Sequence, residues 1–209
     1  MKFLKTIGKF FAGLLVLLGI TIFIMSYFGT YAVNNFHVLE KDINDYTLKS
    51  ISEKGEMDIE QFREYCRQNS SDENCKILNQ NPITEQIKKE INDFVYYGNV
   101  MRIIGFIIFL LGFLLFALCS GFLNGLRQTS LISLIGSLFS YFYYKYMIMG
   151  ALNSFLPPEI LGMVNNWAIA SINQIVKFVA VLIVIFLILT IVLYVLKHKK
   201  KIEGRTNGS

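Results

Sequence analysis

IIGFIIFLLGFLLFALCSGFL, residues 103–123, decides the fold, because its 21 residues contain no charge. As a helix rising 1.5 Å per residue it covers about 31 Å, the hydrocarbon thickness of a bilayer. Three more apolar runs of similar length follow the same logic, residues 10–32, 131–152 and 178–196. Within lipid every backbone N–H and C=O needs an internal partner, which a helix supplies along its own length. The expected class is therefore all-α, a four-span transmembrane helical bundle. At 54% hydrophobic residues the chain exceeds the usual soluble composition, and a soluble reading is excluded.

The net charge of +5 is distributed by topology. Lys2, Lys5 and Lys9 precede the first run, Arg127 lies between the second and third, and Lys197, Lys199, Lys200, Lys201 and Arg205 follow the fourth. Those nine basic residues face one acid, Glu203. Residues 34–102 instead hold nine Lys/Arg against thirteen Asp/Glu. The positive-inside rule therefore puts both termini in the cytoplasm and the long loop outside, with the plasma or cell membrane as the expected location. The basic tail reads as a topology determinant and a contact for anionic lipid, with no nucleic-acid partner.

The expected layout is a basic N-terminus at 1–9, a first span at 10–32, an extracytoplasmic cap at 33–99 and a second span at 100–123. A cytoplasmic turn at 124–129 leads to the third span at 130–152. An outer interfacial segment at 153–173, a fourth span at 174–196 and a basic tail at 197–209 complete it. The first run is too long for the 7–15-residue core of a signal peptide, so an uncleaved anchor is expected. Ile202-Glu203-Gly204-Arg205 reads like an appended protease-cleavage linker, and Thr206 to Ser209 like its remnant.

Three short amphipathic helices are expected in the cap. Leu39, Ile43, Tyr46 and Ile51 follow helical spacing. Asp58-Ile59-Glu60-Gln61 resembles a capping box before Phe62 and Tyr65, and Asn81-Pro82 opens a third pattern through Ile83, Ile87, Ile91 and Phe94, with a break expected at Gly98. Cys66 and Cys75, with eight polar residues between them, form an even, local, external pair and read as a disulfide staple. A redox site calls for Cys-x-x-Cys, and a zinc site calls for more ligands than the isolated His37. Asn69-Ser70-Ser71 matches the N-glycosylation pattern. Cys119 reads as a buried apolar residue.

Small residues mark where helices approach in lipid. Ala117, Gly121 and Gly125 form one stripe. Ser130, Ser133, Ser137 and Ser140, with Gly136 beside them, form another, and the two are expected to meet across a turn at residues 124–128. Lys145 stands in the apolar third run among Tyr141, Tyr143, Tyr144 and Tyr146. About 21 Å from the run's cytoplasmic start, it reads as an amine snorkelling to the outer interface within an aromatic belt. A pore or ligand role is the alternative. Pro157-Pro158 and the single Trp167 point to a helix at the outer boundary or one running into the fourth span, with a re-entrant segment as the alternative.

The outline of one span, a long outer loop holding Cys66 and Cys75, two spans joined by a short turn, a shorter outer loop and a last span resembles the claudin-like four-span proteins of cell–cell junctions. The resemblance is topological. That family carries Gly-Leu-Trp before its first cysteine in a β-rich loop, whereas Phe62-Arg63-Glu64-Tyr65 precedes Cys66 here and the loop has no Trp. No functional residue carries over.

The expected function is that of a non-enzymatic interaction, structural or accessory subunit working through its cap, with a membrane-protein partner or self-association and no metal or cofactor. A channel or small-solute transporter using Lys145 and the serine face is one alternative. A membrane enzyme acting on lipid or thiols is another, weakened because the spans contain no Asp, Glu or His.

Overall fold

The computed structural model describes residues 2–55, 58–72, 75, 85–155 and 157–206. The expected helix start at Asn81 and Pro82 lies outside them. The described elements are α1 (Lys2–Asn34), α2 (Phe36–Gly55), α3 (Ile59–Gln68), α4 (Glu85–Ser120) and α5 (Phe122–Phe142). A π-helical segment (Tyr143–Met147) follows, then α6 (Ile148–Phe155) and α7 (Pro158–Thr206). No strand occurs among the described residues, so the all-α class stands.

Among the described residues, three helical stretches are long and apolar enough to cross a membrane, Phe3–Asn34, Asn92–Ser120 and Val164–His198. The third apolar run of the sequence is carried by α5, the π segment and α6, which follow one another without a gap. Asn124, Arg127, Gln128 and Thr129, ahead of the run, make the first part of α5 polar.

The chain reverses at Gly121, whose φ of 81° favours a residue without Cβ. The turn expected at residues 124–128 is helical instead: the Gly125 N–H donates to the Gly121 carbonyl (2.8 Å) and the Asn124 amide to the Ser120 carbonyl (3.1 Å). Gly121 also leaves the expected packing stripe, since a Cβ there would meet nothing within 4 Å. Spacing marked it as small, whereas its role is backbone conformation.

Helices α1 and α4 run antiparallel in the most intimate contact of the molecule, Gly8 lying beside Cys119, Gly19 beside Phe109 and Gly29 beside Phe94. Gly105 and Gly112 let the two backbones touch: a Cβ on Gly112 would lie 2.8 Å from the Val16 nitrogen. Helix α5 packs against α7, α4 and α1. One buried cluster joins Ile20 and Ile24 to Tyr144, Ile175 and Val179; another joins Ala12 and Val16 to Phe116.

Polarity is inverted relative to a water-soluble domain. Leu118 is 83% exposed, Phe139, Val184 and Ile188 also face outward, and Ser133 and Ser137 are fully buried. An apolar rind of this extent in water would be an aggregation surface. In lipid it is the expected exterior, with small and hydroxylated residues inside.

The expected break at Gly98 is absent, because α4 continues through it from Glu85 to Ser120. Pro158 starts α7, the Leu161 N–H bonding the Pro157 carbonyl (2.9 Å), and the helix runs through the fourth apolar run without a re-entrant turn.

Candidate functional site

Cys66 and Cys75 are joined by a disulfide, their Cα atoms 5.1 Å apart, and pack with Phe62 in a small buried cluster. Phe62 and Cys66 share the inner face of α3 at i, i+4 spacing, while Arg63, Glu64, Arg67 and Gln68 are exposed. The Tyr65 hydroxyl donates to the Asp72 carboxylate (3.0 Å), and this bond, then the carboxylate's charge, raises the phenol's pKa above its ordinary value. Asn69 is exposed on the same loop, its amide donating to the Tyr65 carbonyl (3.1 Å). Ile59 forms the first turn of α3, as the capping-box reading expected.

Side chains distant in sequence tie α2 and the end of α1 to α7. Helix α1 gives way to α2 at Asn35, whose amide donates to the Tyr31 carbonyl (2.8 Å) and whose carbonyl oxygen accepts from Gln174 of α7 (3.3 Å). The Trp167 indole N–H donates to the Ala32 carbonyl (2.7 Å). On α2, buried Asp42 accepts from the Asn166 amide (2.9 Å) and the Trp167 backbone N–H (3.3 Å). The legible signal was an acid at i+3 from Leu39, on a face that otherwise reads apolar.

Arg102, at the edge of the expected second span, lies inside the apolar stretch of α4. Its guanidinium donates to the Thr30 hydroxyl (2.7 Å) and sits 4.0 Å over the Tyr27 ring. Its Nε is buried without a hydrogen-bond partner.

The two small-residue stripes do not meet as a unit. Gly125 abuts Ala117 of α4, but the serine face turns to α7 and α1. The Ser130 hydroxyl bonds the Phe186 carbonyl (3.1 Å) and the Thr190 hydroxyl (2.8 Å), and Gly136 packs against Ile20 and Leu17. Spacing identified the face, and the partner depended on how α5 is rotated. The Ser133 and Ser137 hydroxyls are fully buried and unpartnered, and Ser140 is half-buried.

Lys145 is exposed and turns away from that interior. Its ammonium donates to the Tyr141 hydroxyl (3.2 Å) and lies 5.3 Å from the Tyr141 and Tyr146 ring centroids. The serine face and Lys145 therefore do not form one polar conduit. Cys119 is partly buried beside Gly8 rather than fully enclosed. Among the described residues no group of His, Cys, Asp or Glu is placed to hold a metal ion. No family model, no curated protein and no solved structure matches the chain.

Proposed function

We propose that the chain is a four-span membrane protein, its termini cytoplasmic, that acts without catalysis as an interaction or accessory subunit through the cap formed by α2 and α3. The observation that carries this reading is the contrast within the cap. Asp42 and the neighbouring Asn35 bond α2 to α7 and the Cys66–Cys75 staple closes the loop after α3, while Arg63, Glu64 and Arg67 are left to solvent. A rigid base with an exposed charged face is what a partner-binding surface requires.

Beside the three long apolar helices, the third span of the sequence is carried by the continuous helical run from Phe122 to Phe155. It has outward-facing Leu131, Ile135 and Phe139 and is enclosed on its serine face by α1 and α7, which together make a lipid-facing exterior and a small-residue interior. Lys145 then snorkels among its tyrosines toward the outer interface.

A photoreactive amino acid at Glu64 or Arg67 in membranes tests the function. Crosslinking into one discrete species, a partner or a second copy, is expected from these positions and not from Val184 on the lipid face. Equal, diffuse labelling from all three sites would defeat the proposal.

A further inference from the structure

We propose that the groove between α1 and the outward half of α5 holds one acyl chain of an anionic glycerophospholipid, with the lipid phosphate on the Lys145 ammonium. The open groove has a volume of about 710 Å³, within the range of ligand sites, and its walls are nearly all apolar, with Leu17 and Met25 from α1 and Phe139 and Met147 from the helical run of α5 and the π segment. Gly136 adds no side chain to its wall, and the π segment contributes Tyr143, Tyr144, Tyr146 and Met147 to its lining.

Its length identifies the occupant. From Gly136 to Met147 is eleven residues along the helix, about 16 Å, or roughly half of a ~30 Å hydrocarbon core. That matches a chain from a single leaflet. A partner transmembrane helix would need a seam across the full thickness.

The charge beside the groove points to the headgroup. The Lys145 ammonium lies 5.3 Å from the centroid of Tyr146, whose ring lines the groove, and no carboxylate pairs with it among the described residues. An exposed cation beside an apolar trough, next in sequence to the lining residues Tyr144 and Tyr146, complements a lipid with an anionic phosphate and a chain below it. The inference rests on the four-span reading, which sets Lys145 at the outer interface.

The test uses the full chain in vesicles of phosphatidylcholine with a minor fraction of phosphatidylglycerol, one of the two carrying a diazirine on its acyl chain, and maps the labelled residues. Labelled phosphatidylglycerol should mark Phe139 and Met147 above the outward face of α7 at Val184 and Ile188. Lys145→Gln should cut that excess roughly three- to fivefold, the size expected of one interfacial ion pair. Ser140→Trp, which fills the groove, should abolish the excess while leaving α7 labelled. Groove labelling no greater than that of α7, or equal for both lipids and unchanged in Lys145→Gln, would overturn the proposal. Failure of the four-span reading would look different, because Leu131 and Ile135 would then go unlabelled as well. Lys145 is exposed, so its substitution keeps the test decisive even where Ser140→Trp does not fold.

Discussion

Asp42 and Gly112 show how single residues carry this structure. Asp42 accepts two hydrogen bonds from α7 in a buried position, so Asp42→Ala leaves the Asn166 amide and the Trp167 N–H without that acceptor. A loss of about 1–3 kcal/mol is expected, with a smaller loss for Asp42→Asn, read from unfolding in mild detergent. Gly112→Leu should cost at least as much, because its Cβ would press on the α1 backbone; Gly150→Ala, with open space around it, should be neutral. At Tyr65 the raised pKa means that the contact with Asp72 is intact below the ordinary phenol range and is lost as pH rises through the shifted value. Asp72→Asn should lower the titration midpoint, followed by NMR of carbon-labelled tyrosine.

At the scale of elements, α3 depends on its staple. Removing a disulfide that closes so short a loop costs about 2–4 kcal/mol, mainly by freeing the unfolded segment. Cys66→Ser should therefore make α3 sensitive to limited proteolysis while α1, α4 and α7 remain inserted, because insertion follows the apolar runs. Unchanged proteolysis would show that the contact with α2 suffices. The elements also show where reading by pattern stopped. Helical spacing found α2, α3 and the N-terminal part of α4, but a stripe of small residues does not state which neighbour it meets. Ser130 found its partners on α7, and the seam that allows the closest approach, Gly105 and Gly112 against α1, repeats at seven residues inside an apolar run that masks it.

For the whole molecule, the expected orientation follows from charge asymmetry across the helices. In a background with Cys119 replaced, a single cysteine at the exposed position Asp45 should react with an impermeant thiol reagent in intact cells, and one at Lys197 should be protected. The reverse pattern would invert the topology. The sequence alone determined the helical class, the membrane-compatible lengths, the cysteine pair and the separation of basic from acidic flanks. Those properties depend on composition and short-range period, which a chain carries before it folds. The tertiary structure decided the reversal at Gly121, the rotation of the serine face toward α7, the outward turn of Lys145 and the polar knot joining Asn35 and Asp42 to α7. Each of these depends on a backbone dihedral or on the rotation of one helix about its axis against another. In an apolar medium many rotations bury similar surface, so the choice falls to close packing and a few hydrogen bonds between residues distant in sequence.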